Sequence, residues 1–174
     1  MSVDDSWRIF FDDAFERALY DEKLRFPKYE LVENRDQGET VRRKIRVTPR
    51  LDAPAAVLKL LGSTFGYVED GTFEKKERVW RSRIITNVIP DRLGASFVVR
   101  AEPTGEGRCR RTIDLDLDVK IFGIGGLVEA AFEKNLRDGW RDSAAFMIEW
   151  ARRHPNVAPA ASTGTGPASP PGQG

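Results

Sequence analysis

From Thr112 to Ile121 apolar and polar residues alternate strictly, after which the chain passes through Gly123-Ile124-Gly125-Gly126 into helical periodicity that lasts to Arg153. Strand side chains point to opposite faces in turn, so Ile113, Leu115, Leu117, Val119 and Ile121 share one face. Thr112, Asp114, Asp116, Asp118 and Lys120 share the other. That pattern specifies a sheet with one wet face and one covered face. The simplest cover is the helix that follows, whose apolar stripe comprises Val128, Phe132, Leu136, Trp140, Ala144, Met147 and Ala151 at spacings of three and four. A helix laid across a curved sheet can enclose a pocket.

The rest of the chain supplies the sheet. Ser2 and Asp5 form a capping box that starts a helix at about Val3. Trp7, Phe10, Phe11 and Ala14 continue it, Asp12-Asp13 interrupts, and Phe15, Ala18 and Leu19 resume, which predicts two short helices closed by Pro27. Strands are expected over 28–34 and 39–48, joined by the turn Arg35-Asp36-Gln37-Gly38. Pro54 opens a short helix through Leu61, stopped by Gly62. Further strands are expected over 64–69 and 72–86, with Asp70-Gly71 as a tight turn between them. In the second of these Phe73 and Val79 are odd while Trp80 and Ile84 are even, which suggests a bulge. Two last strands, 95–102 and 108–121, complete a meander of about six antiparallel strands. The fold class is α+β.

The 174 residues suffice for one domain, 2–154, followed by an Ala/Pro/Ser/Gly-rich tail, 155–174, with no apolar periodicity to repay ordering. Lys and Arg number 28 against 27 Asp and Glu, a net charge of +1 that removes the bulk electrostatic case for nucleic acid. No apolar run approaches the ~20 residues of a bilayer span. A single cysteine, Cys109, forms no internal disulfide, and the first residues do not read as a signal peptide, so a cytoplasmic location is expected.

Two short helices, an antiparallel meander and a long last helix follow the helix-grip order, and the chain resembles the START-like (SRPBCC) superfamily over about 2–153. The residues that carry the likeness are Ser2-Val3-Asp4-Asp5-Ser6-Trp7 and Lys120-Ile121-Phe122-Gly123-Ile124-Gly125-Gly126-Leu127-Val128-Glu129. The second resembles the strand-to-helix junction of a bacterial branch of that superfamily without assigned function, and more distantly of VASt-like lipid-transfer domains. The resemblance implies noncatalytic binding, or transfer, of a hydrophobic small molecule or lipid between the last helix and the sheet, without a cofactor. Its alternatives are a cyclase- or hydrolase-type enzyme and a protein-interaction module with a filled groove. Members usually begin with a strand, whereas only Met1 and Ser2 precede the first helix here. The expectation is an upstream start, or a sheet with an open edge on which a second copy could pair.

Individual residues point the same way. Gly123-x-Gly125-Gly126 lacks the following strand that a phosphate-binding βαβ unit requires. Asp114, Asp116 and Asp118 stand ~6.5–7 Å apart along a strand, too far to share an ion without partners, and read as a solvated face. Arg42, Lys44 and Arg46 should pair with acids on the wet side. His154, the single histidine, should cap the last helix. Arg43 is in phase with Val41 and Ile45, and Arg111 with Ile113 and Leu115, so both guanidiniums should face inward. There each should meet an acid, a cavity water or an anionic head group; the cost of burying a charge favours a partner within the chain, or a sheet-end position reaching solvent, over a ligand. With Tyr67, Trp80, Val99, Phe132, Leu136 and Trp140, these residues make the candidate ligand-binding set. Phe122, Ile124 and Leu127 form either a helix-docking contact or an apolar tip for peripheral membrane contact. No metal site is expected.

Overall fold

The computed structural model describes residues 1–155. Helices α1 (Val3–Phe10) and α2 (Asp13–Ala18) lead into a π-helical turn, Leu19–Lys23. The Ser2 hydroxyl accepts from the Asp5 N–H at 3.1 Å and donates to the Asp5 carboxylate at 2.7 Å. Asp12 interrupts the apolar stripe because it caps the second helix, accepting from the Phe15 N–H at 2.7 Å.

Strands β1 (Lys28–Asp36), β2 (Thr40–Thr48), β3 (Tyr67–Glu74), β4 (Val79–Thr86), β5 (Leu93–Gly105) and β6 (Arg108–Val119) form one antiparallel curved sheet in chain order. Helix α3 (Ala55–Leu61) lies between β2 and β3, and helix α4 (Gly125–Arg153) closes the domain. The fold is α+β, compatible with a helix grip. Among the described residues no strand precedes α1, and β1 and β6 are the sheet edges. All but the first residue of the expected tail lies outside the described residues.

Two expectations need correction. Asp70-Gly71 is no turn: β3 runs through it, and the reversal falls at residues 75–78. Gly71 stands on the inner face beneath the Trp80 indole, where a Cβ would lie 2.1 Å from Cζ2. Close approach of a ring, not a reversal of the chain, requires glycine there. The parity change from Phe73 to Trp80 is therefore that of two strands around a hairpin rather than of one bulged strand. The second correction concerns Ala144, which is exposed. Steps of four residues overshoot a 3.6-residue turn by about 40° each, so after Phe132, Leu136 and Trp140 the buried line passes to Ser143, Phe146, Met147 and Trp150.

Besides the clusters of Tyr20, Ile45 and Val47 and of Ile84, Ala95 and Phe97, the last with Leu136 of α4 packed against it, the core has a cluster at each end of α4. At one end Val128, Ala131 and Phe132 pack with Val57, Leu61, Phe65 and Leu93. At the other, Phe146, Met147 and Trp150 pack with α1, α2, Phe73, Trp80 and Val99. Each such side chain contributes roughly 1.5–3 kcal/mol by leaving water, so both ends are pinned. Between them, from Glu133 to Asp142, no residue is fully buried.

Candidate functional site

Along the middle of α4, where Leu136 packs against Ile84, Ala95 and Phe97 and the Trp140 ring lies 6.0 Å from that of Phe97, the inner strand faces supply the walls. Strand register places Arg43, Gly71, Ser82, Phe97 and Leu115 in one row across the sheet. Phe97 is buried, whereas Ile113, Leu115 and Leu117 on β6 are only half-buried although they face inward. The helix thus packs along β6 but leaves the inner face of that strand partly uncovered.

Three spaces meet at Trp140. A cleft of about 680 Å³ runs between β6 and α4, floored by Phe97, Ile113, Leu115, Leu117 and Leu136, with Asp114, Asp116, Glu129 and Glu133 along its rim. That size falls within the ~300–1,000 Å³ of ordinary small-molecule sites. A chamber of about 90 Å³ lies deeper, under α2 and the π-helical turn. It is smaller than the ~150 Å³ apolar cavity that admits benzene. A third groove, of about 360 Å³, lies between α4, the chain start and β6, and Arg111, Cys109, Met147 and Ile148 line it.

The chamber is built on a buried ion pair. Arg43 Nη1 lies 3.4 Å from Glu16 Oε1 and donates to the Phe10 carbonyl at 2.6 Å, at the end of α1. Its guanidinium carbon sits 4.4 Å from the Phe10 ring centroid and 5.0 Å from that of Trp80. Glu69 is buried beside it and accepts from the Trp80 Nε1 at 3.4 Å. Burial pushes the Glu16 carboxyl above its ordinary value of 4.5, against the pull of Arg43. The Tyr29 hydroxyl bonds Glu16, and burial likewise raises Tyr20 and Tyr67.

Arg111 has no such arrangement. Its Nη2 is enclosed without an acceptor, and its Nη1 has only the Met147 sulfur at 3.9 Å. Its guanidinium carbon lies 5.5 Å from the Trp140 ring centroid. Burial draws its pKa down to about 10, which leaves it a cation at neutral pH.

The sequence-derived candidates separate accordingly. Arg43, Tyr67, Leu136 and Trp140 line the chamber. Ile113, Leu115, Leu136 and Trp140 line the cleft, and Arg111, Ile113 and Trp140 the groove. Ile45, Trp80, Val99 and Phe132 are packed in the core and line none of these three spaces. Sequence reasoning missed Glu16 and Glu69. Glu69 shares parity with Tyr67 and Phe73, a signal hidden by the mistaken turn at Asp70-Gly71. Glu16 carries no comparable signal, since it adjoins the apolar stripe of α2.

The other side chains behave as expected. Arg42 and Lys44 each lie 3.3 Å from Asp70, and Arg46 lies 2.9 Å from Glu30. Asp114 pairs with Arg100 and Asp118 with Lys120. The His154 backbone N–H donates to the Trp150 carbonyl at 2.9 Å, and its ring Nδ1 lies 3.1 Å from the same oxygen, closing α4. No helix among the described residues is long and apolar enough to cross a membrane.

The meander sheet and the long helix laid over it span nearly the whole stretch matched by one family model, residues 1–151. The chain belongs to the family described as Protein of unknown function (DUF2505). No curated protein matches the chain. The DUF2505 match thus takes in every residue that lines the cleft, the chamber and the groove.

Proposed function

We propose that this DUF2505 domain binds a hydrophobic small molecule or lipid, without catalysis, in the cleft between β6 and α4. The observation that carries the reading is the half-buried row Ile113, Leu115 and Leu117 facing Leu136 and Trp140 across a 680 Å³ gap. Apolar surface left on a concave inner face gains roughly 25 cal/mol per Å² when a guest covers it. The open cleft also favours a ligand over a groove filled by the protein's own side chains. The architecture supports placing the chain with the START-like superfamily. Phe122, fully exposed where β6 leads into α4, and half-exposed Leu127 suit an apolar tip that touches a membrane during transfer.

Native mass spectrometry and organic extraction of the freshly purified full chain test the reading. Wild type should carry an extractable apolar adduct or take up added dodecanol, and Leu115→Trp, which narrows the cleft at its floor, should take up less. Absence of both in wild type rejects it. A second reading, acid–base catalysis, has one observation in its favour, the raised Glu16 carboxyl bonded to Tyr29 and paired with Arg43. Ester turnover abolished by Glu16→Gln at unchanged dodecanol affinity would establish it.

A further inference from the structure

Burying a guanidinium without an acceptor is costly, and removing one hydrogen-bond partner from a charged group typically forfeits more than a neutral bond would. Arg111 is in that condition, on the inner face, in the groove that joins the cleft at Ile113 and Trp140. The nearest other guanidinium in the groove, that of Arg141, is engaged by Asp138 at 2.7 Å. Cys109 is the one other ionisable side chain besides these two that lines it.

From the reading of the cleft as a hydrophobic site, we infer that its ligand is a single-chain amphiphile with a carboxylate head, and that Arg111 holds the head. Three observations converge on this. The planar fork of Arg111 matches a carboxylate, and its Nη2 is the guanidinium group in the groove left without an acceptor. The cleft is lined by Asp114, Asp116, Glu129 and Glu133 against one cation, Arg137, which Glu133 already engages at 2.8 Å, so its charge is net acidic and favours an anionic head at Arg111 and the tail beneath α4. From Arg111 to Leu117 is six residues of strand, ~20 Å at about 3.3 Å each, a length that suits an extended alkyl chain better than a compact ring.

Calorimetric titration of dodecanoate, dodecanol and dodecyl phosphate into the full chain, each below its aggregation threshold and at neutral pH, tests the inference. Wild type should bind dodecanoate at least about tenfold more tightly than dodecanol, as expected for a charge-assisted hydrogen bond pair. Arg111→Met should erase that preference while leaving dodecanol affinity unchanged, and Arg111→Lys should keep part of it. Equal binding of acid and alcohol to wild type, or a preference that survives Arg111→Met, overturns the head-group role and leaves the cleft reading standing. Tighter binding of dodecyl phosphate than of dodecanoate overturns the carboxylate match. If wild type binds none of the three, the cleft reading fails and this inference with it.

Discussion

Arg43 on β2 and Arg111 on β6 both face the inner side of the sheet, in different rows, and their surroundings differ in kind. Arg43 meets a carboxylate, a helix-end carbonyl and three aromatic rings. Arg111 meets a thioether and one indole face, and an N–H pair is left over. The difference follows from where the helices lie. Helix α1 ends at Phe10 and α2 carries Glu16 to Arg43, whereas among the described residues no carboxylate lines the groove around Arg111. A buried charge that the chain itself neutralises is part of the scaffold. One that it leaves unneutralised invites a partner from outside.

The comparison breaks most readily on stability. Arg43→Met should cost about 3–5 kcal/mol by urea unfolding at neutral pH, because Glu16 and Glu69 stay buried without their cation. Arg111→Met should be neutral or stabilising in the same assay, since it removes an unpaired buried charge. Similar losses for both would abolish the distinction between the two arginines.

Packing should differ in parallel. Gly71→Ala puts a methyl into the Trp80 ring that underlies Arg43 and should cost about 1–3 kcal/mol. Leu115→Trp adds far more volume at the open end and should change stability by no more than about 0.5 kcal/mol. A larger loss for Leu115→Trp than for Gly71→Ala would mean that the β6 side is as tightly filled as the centre.

A pH series sharpens the Arg43 end. With its folded pKa raised, Glu16 contributes stability that is fully present below about pH 4.5 and is lost as pH rises through the folded value. The unfolding free energy of wild type relative to Glu16→Gln should therefore fall between pH 4.5 and neutrality. A rise over that window would show that Arg43 outweighs desolvation. The smallest effect belongs to Phe122→Ser: no change in unfolding midpoint, since Phe122 touches no core cluster, but slower delivery of bound dodecanol to vesicles.

Much of the fold was legible because period-two and helical patterns are local. The strict alternation along Ile113 to Val119 and the cap at Ser2 needed no tertiary information, and the order of strands followed from short connections. Gly71 was misread because an aspartate-glycine pair has the same letters in a turn as under a ring. Trp80 decides which, and Trp80 lies on the next strand. The inward phase of Arg43 and Arg111 was readable as well, but their fates were not. Whether an arginine is answered depends on a helix packed from elsewhere in the chain, and Glu16 gives no sign in the sequence that it will be the one to answer.

The most direct measurement is a methyl NMR titration of the full chain with dodecanol. Shifts should be confined to Ile113, Leu115, Leu117 and Leu136, with the pinned ends at Val57, Leu61 and Val128 unmoved. Shifts at those pinned ends with none along β6, or none anywhere at saturating dodecanol, would contradict a guest beneath the middle of α4.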